Sequence, residues 1–224
     1  MRMGLNKINK PEPLAKKALK ILRQSILTNE LTTGVIYNEK SLASDLGISK
    51  TPVREALIEL ASKRLVKFLP QKGVIINTFS DAEIDDAFEI RTVLELFSIK
   101  KICLNYKTLD VAPLVQNLAE QKNAAGVEDK LAFMEADREY HIQFSRLTDN
   151  TYMVNMMGDI RDIMHLMRRQ TLGIKRRMQE VIHEHENISN AIIKGDVDKA
   201  KIYMKYHLDV TREAVKQVYQ NRRE

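Results

Sequence analysis

The sequence predicts a mainly α chain in two domains. A helix-turn-helix with a small two-stranded wing takes residues 1–77, and an all-α antiparallel helical bundle takes 78–224. Three observations predict it. Residues 39–57, E-K-S-L-A-S-D-L-G-I-S-K-T-P-V-R-E-A-L, read as two short helices broken at a glycine. Just after them, R-L-V-K-F-L-P and V-I-I-N, rich in β-branched and aromatic residues, flank the turn signal Gln71-Lys72-Gly73. From Thr78 onward the apolar spacing is helical to the end, with no strand-like alternation of useful length.

Leu14 to Leu27 is a basic amphipathic helix, with Leu14, Ala18, Ile21, Leu22 and Leu27 on one face and Lys16, Lys17, Lys20 and Arg23 on others. A loop centred on Gly34 leads to the first short helix, whose apolar face is Leu42, Ala43 and Leu46. Gly47 permits a tight turn, and Ser49 is placed to cap the second helix. That helix buries Val53, Ala56, Leu57, Leu60 and Ala61 and leaves Lys50, Thr51 and Arg54 outside at its N-terminal end. Basic and hydroxyl groups at the start of the second of two such helices suit entry into the major groove of DNA.

Thr78 to Asp81 is the linker, and Ser80 or Asp81 caps the next helix. Helices are expected near 81–104, 109–124, 129–148, 151–170, 176–193 and 196–220. The breaks fall at Asn105 to Asp110, Gly126, Asp149-Asn150, Gly173 and Gly195.

Charge divides along the chain in the same way. The whole chain carries a formal +6, but residues 1–77 hold 14 Lys/Arg against 6 Asp/Glu, and the rest hold 22 against 24. The excess positive charge therefore lies in the N-terminal third, as expected if that part alone meets phosphate. The single cysteine, Cys103, cannot form an internal disulfide and reads as a small core residue. No apolar stretch approaches a membrane span, and M-R-M-G-L-N-K lacks the apolar core of a signal peptide. The expectation is a cytoplasmic protein with no membrane partner.

In the bundle, polar residues interrupt apolar stripes. Helix 129–148 has a core stripe at Leu131, Met134, Phe144 and Thr148, and Asp137 and His141 fall in it one turn apart. His185 falls in the stripe Met178, Val181/Ile182, Ile188 and Ile192, and His207 in the stripe Ala200, Tyr203, Val210 and Ala214. His165, grouped with Arg161, Asp162, Arg168 and Arg169, reads as exposed, as does His183. On one straight helix His185 and His207 would be about 33 Å apart. The K-G-D break at 194–196 folds the segment back, so the two return to nearly the same height. Neutral imidazoles with a carboxylate suit zinc first, with nickel or manganese as alternatives, at one metal per chain.

With these residues in place, the chain resembles the GntR family of bacterial transcription regulators, in its FadR-like branch with an FCD ligand-binding domain. The resemblance runs from about Leu14 to Val218. It is carried by Asn38 to Leu57, the wing Q-K-G, E-I-R-T-V-L-E at 89–95, D-R-E-Y-H at 137–141, E-H-E-N-I at 184–188 and K-G-D-V-D-K-A-K-I-Y-M-K-Y-H-L at 194–208. Any one of these is weak; the ordered set is specific. The resemblance implies DNA contact at Lys40, Lys50, Thr51, Arg54 and the wing Gly73, with Lys72 beside it. Lysines stand at 40 and 50 where the family more commonly has arginine, so only Arg54 keeps a bidentate fork. The family's metal positions match Asp137, His141, His185 and His207. Arg91 falls where the family's first bundle helix faces the pocket; it receives an effector carboxylate there or pairs with Glu95 on the helix surface. Met153, Met156, Met157, Met164 and Met167 read as core filling.

The leading expectation is a homodimeric regulator on an inverted-repeat operator, controlled by an organic-acid effector bound beside the metal. Two alternatives remain: a purely structural metal, or a metallohydrolase with a DNA-targeting domain. The latter needs a general base near the metal, and Glu184 and Glu186 lie off the inward face of His185 by helix period. No nucleophile elbow or phosphate-binding glycine loop supports it.

Overall fold

A computed structural model describes residues 11–168 and 176–220 of the chain. The start of the chain, Arg169 and the expected break at Gly173 lie outside the described residues. The chain divides by contacts into two units, Met1–Asn77 and Thr78–Glu224.

The first unit runs α1 (Leu14–Leu27), β1 (Ile36–Tyr37), α2 (Glu39–Asp45), α3 (Lys50–Ser62), β2 (Val66–Leu69) and β3 (Gly73–Ile76). α1 packs on α3, burying Ala18, Leu22, Ile26 and Leu27 with Val53, Ala56, Leu57 and Leu60. Leu14 and Ile21, expected on that face, are half exposed: Ile21 lies beside the buried row 18, 22 and 26, and Leu14, though on that row, is the first residue of the helix. Asn38 caps α2 by accepting a 2.8 Å hydrogen bond from the backbone N–H of Lys40. Ser49 stands at the N-cap of α3 in extended backbone but makes no side-chain cap bond.

The wing is larger than expected. β2 and β3 form the hairpin, with Val66 opposite Ile76 and Phe68 opposite Val74, and β1 pairs with the other edge of β3 to give a three-stranded antiparallel sheet. β1 has two residues, too few to show a period of two. Its presence explains Gly73. At φ +131°, a Cβ there would lie 2.2 Å from the Tyr37 carbonyl oxygen, so only glycine lets the hairpin tip meet β1.

The second unit is all helical among the described residues: α4 (Asp81–Leu104), α5 (Ala112–Gly126), α6 (Lys130–Arg146), α7 (Thr151–Arg168), α8 (Arg177–Ile193) and α9 (Val197–Gln220). Ser80 starts α4 with a full capping box: its Oγ accepts from the Glu83 N–H at 3.2 Å, and its own N–H donates to Glu83 Oε2 at 2.9 Å. Gly195, at φ +67°, turns α8 back against α9; a Cβ there would meet the Tyr106 ring at 2.5 Å. One apolar cluster joins Ile99, Ile102 and Cys103 of α4 to Tyr140, Phe144, Ile188, Met204 and Leu208.

Several stripe assignments shift. Leu131 is half exposed, and α6 buries Phe133, Met134, Ala136 and Phe144 around its polar pair. On α9 the inward row is Ala200, Met204, His207, Leu208, Thr211 and Val215, while Tyr203 is exposed and Val210 and Ala214 lie at the edge. Four of the five methionines fill core space; Met156 is half exposed. No helix among the described residues is long and apolar enough to cross a membrane.

Candidate metal centre and nucleic-acid interface

All six described helices of the second unit bring polar side chains to one buried centre. His141 of α6, His185 of α8 and His207 of α9 are fully buried, and their ligand atoms lie within 4.8 Å of one another. The Nε2 atoms of His185 and His207 are 3.4 Å apart. Ring centroids are 5.1 Å apart for His141–His185, 5.1 Å for His141–His207 and 4.6 Å for His185–His207.

Each ring is oriented by a partner on its other nitrogen. His141 Nδ1 lies 2.5 Å from Glu95 Oε2, His185 Nδ1 2.8 Å from Gln121 Oε1, and His207 Nδ1 2.6 Å from Glu184 Oε2. Gln121 is itself oriented, because its amide donates to Asn117 Oδ1 at 2.8 Å. With Nδ1–H donating in all three, every Nε2 is an acceptor facing the centre, as in metal-ligating histidines. Burial, joined by nearby positive charge, holds all three well below the usual histidine pKa, so they are neutral at pH 7.

Asp137 stands at the edge of this cluster. Its Oδ1 is buried, has no hydrogen-bond partner and lies 3.9 Å from His185 Nε2. Its Oδ2 receives Arg161 and Arg168 of α7, both buried. Burial alone would raise this carboxyl, but Arg168 and Arg161 outweigh it and hold the pKa well below the usual value. Three inward imidazole nitrogens and an orphaned carboxylate oxygen fit a divalent metal of the first transition row.

Arg91 makes the i,i+4 pair that its spacing allows, but in the interior. It pairs with Glu95 through Nε at 2.6 Å, but both side chains are fully buried rather than on the helix surface. Its Nη2 donates to His141 Nε2 at 2.9 Å, a bond that a metal on that nitrogen would displace, and its buried Nη1 has no partner. Arg161 Nε and Nη1 are likewise buried without acceptors. Desolvation lowers the Arg161 pKa to about 9. The centre thus holds more guanidinium charge than its own carboxylates neutralise.

Sequence reasoning missed much of this surround. Arg161, Asp162, His165 and Arg168, expected outside, are buried because α7 turns that polar face toward Asp137 and toward Arg138, whose Nε donates to Asp162 Oδ1 at 3.2 Å. Glu184, expected off the inward face, is buried between His207 and Arg177, whose guanidinium holds it at 2.7 and 3.1 Å. His183 is exposed as expected. The signal was available in part: Arg161, Asp162, His165 and Arg168 recur at i, i+1, i+4 and i+7, a stripe as regular as any apolar one.

In the first unit, Lys40, Lys50, Thr51, Arg54 and Lys72 are all exposed. A cleft of about 390 Å³ between the N-terminal ends of α2 and α3 and the wing turn brings Lys50, Arg54, Lys72 and Gly73 together. Lys40 and Thr51 do not line it. At its base Glu39 Oε2 lies 2.9 Å from Lys50 Nζ and 3.9 Å from Arg54 Nη1.

Comparison with known proteins places both halves. Residues 14–76 match the family described as bacterial regulatory proteins, gntR family, and residues 86–210 match the FCD domain. An HTH-type transcriptional regulator in an unstable DNA locus of Streptomyces ambofaciens is 31% identical over 190 residues, 84% of this chain and 78% of that protein. The HTH-type transcriptional repressor RspR of Escherichia coli strain K12 is 25% identical over 213 residues, 95% of this chain and 93% of that protein. Among solved structures, Escherichia coli McbR/YncC is alike in fold, with a TM-score of 0.79 at 19% identity over 93% of this chain and 100% of that one.

Proposed function

Because the chain belongs to the GntR family of bacterial regulatory proteins and carries an FCD domain, a family of DNA-binding transcription regulators rather than enzymes, we propose that it is a metal-dependent, effector-controlled regulator. In this reading a homodimer in the cytoplasm binds an inverted-repeat operator, and an organic-acid effector bound in the helical unit changes operator affinity. The observation that carries it is the convergence of three neutral imidazoles, each fixed through Nδ1, around the orphaned Asp137 oxygen.

Asp137, His141, His185 and His207 would hold one divalent metal, zinc first, with nickel or manganese as alternatives. When bound, it supplies a Lewis-acidic centre for a carboxylate oxygen. Glu95, Gln121 and Glu184 keep the three Nε2 atoms turned inward. Arg91, anchored through Nε by Glu95, keeps Nη1 for an effector carboxylate, and the unmatched guanidinium charge of Arg161 favours an anion over a neutral ligand.

Lys40, Lys50, Thr51, Arg54, Lys72 and Gly73 are the proposed DNA contacts, with Arg54 offering two parallel donors to guanine. One such module reads too few bases for an operator, so a two-fold axis is needed. α4 supports one: Ile90, Val93 and Phe97 recur at helical spacing and are 48, 66 and 54% exposed, an apolar stripe suited to a second copy.

The burial of all three histidines favours a second reading, a structural metal with no part in sensing. One experiment tests both. Metal content is measured on protein purified without chelator, and binding to a duplex enriched by the chain from a random pool is followed with and without a panel of organic acids. About one metal per chain, with an acid that shifts DNA affinity in the loaded but not the stripped protein, supports the sensor. Unfolding on stripping, with no acid active in the loaded protein, supports the structural role. No metal uptake sinks both.

A further inference from the structure

Glu39 is a carboxylate on the face proposed to meet a polyanion. Among the described residues lining the cleft it is the only acid, set against Lys50, Arg54 and Lys72. Its side chain is only 13% exposed, whereas those of Lys50 and Arg54 are 57 and 61% exposed. The acid is therefore the fixed partner and the cations are the arms that reach outward. Its place is set by the backbone: Glu39 is the first residue of α2, directly after the Asn38 cap.

Resting on the assignment of Lys50 and Arg54 as DNA contacts, we propose that Glu39 is a positioning residue that sets DNA specificity. Its carboxylate holds the Lys50 ammonium and the Arg54 guanidinium toward the groove, and it repels any phosphate that approaches the same two cations.

Two effects act in the same direction. Long cationic side chains lose rotamer freedom when they bind, and a carboxylate that already aligns them lowers that cost for the one geometry it supports. The contact suits this role, since Lys50 Nζ is 2.9 Å from Oε2 while that oxygen makes no aligned hydrogen bond, an ion pair that can yield to a better acceptor. The second effect is discrimination. Guanine O6 and N7 are neutral acceptors and feel little repulsion from Glu39, whereas a phosphate oxygen meets a full opposing charge. Specificity is a difference of affinities, and an element that weakens the wrong complex raises it as surely as one that strengthens the right complex.

The test uses the full chain and two duplexes, one enriched by the wild-type chain from a random pool and one of scrambled sequence. Glu39→Gln removes the charge at constant shape. It should tighten scrambled-duplex binding about 3–10-fold and steepen its log–log salt slope by about 0.9, one phosphate equivalent. The ratio of the two affinities should fall about tenfold. Glu39→Asp keeps the charge but shortens the reach by one methylene; it should lower the ratio while leaving the scrambled-duplex slope unchanged. A wild-type ratio in either variant, with wild-type melting, overturns the proposal, and Glu39→Asp decides it if Glu39→Gln does not fold. Arg54→Ala is the separate check on the underlying assignment: unchanged binding to the enriched duplex removes the DNA-contact reading itself.

Discussion

Replacing Asp137 by asparagine tests the buried centre most directly. The wild-type carboxylate answers two guanidinium groups, Arg161 and Arg168, each about 95% buried or more. Asparagine keeps the shape but leaves both cations without their counter-charge in a low-dielectric interior. Removing one partner of a buried pair costs about 3–5 kcal/mol, because an uncompensated charge remains behind. At roughly 2–4 °C per kcal/mol for a chain of this size, the melting temperature should drop by about 6–20 °C. The control is Glu139→Gln, which removes the partner of the half-exposed Arg146. A surface pair of that kind is worth about 1 kcal/mol or less, so that variant should melt within about 4 °C of wild type. Thermal unfolding followed by circular dichroism, with and without added zinc, reads both. Zinc should raise the wild-type melting temperature and raise that of Asp137→Asn much less, since the orphaned oxygen is gone. If Asp137→Asn melts as wild type does and gains as much from zinc, the carboxylate neither neutralises the arginines nor faces a metal.

Three further outcomes are expected. His141, His185 and His207 have pKa values depressed in the folded state, so their contribution to stability is complete above the unfolded value of about 6.5 and is lost as pH falls below it. The loss reaches about 1.4 kcal/mol per pH unit for each histidine, and a melting temperature that stays flat from about pH 7 to about pH 5 would contradict neutral burial. Arg54→Ala should relax base preference by about 1–3 kcal/mol at one position, whereas Lys50→Ala should weaken binding to all duplexes and flatten the salt dependence; competition against single-base variants of an enriched duplex separates them. Val93→Lys with Phe97→Lys should convert a dimer to a folded monomer in sedimentation, and a wild-type sedimentation coefficient would move the two-fold contact away from α4.

What the sequence disclosed and what it withheld follow from one physical distinction. Asp137, His141, His185 and His207 were legible because each interrupts an apolar row at helical period, and a row is a property of one helix. Their surround was not legible, since every bond in it crosses helices: Glu95 to His141, Gln121 to His185, Glu184 to His207, Arg161 and Arg168 to Asp137. A charged residue is ordinarily an exterior residue, so the polar row of α7 was placed outside until Asp137 supplied the reason to turn it inward. The same reasoning covers the wing. β2 and β3 carry enough alternating residues to declare themselves, whereas Ile36 and Tyr37 become a strand only because β3 offers a free edge. Arg91 lies on the boundary of the two cases. Its i,i+4 partner Glu95 was readable from spacing, but not that the pair would be fully buried with one guanidinium nitrogen against His141. Burial turns an ion pair worth little on a surface into one that fixes a ring and keeps a donor for an anion, and burial is the property that a single helix cannot report about its own polar face.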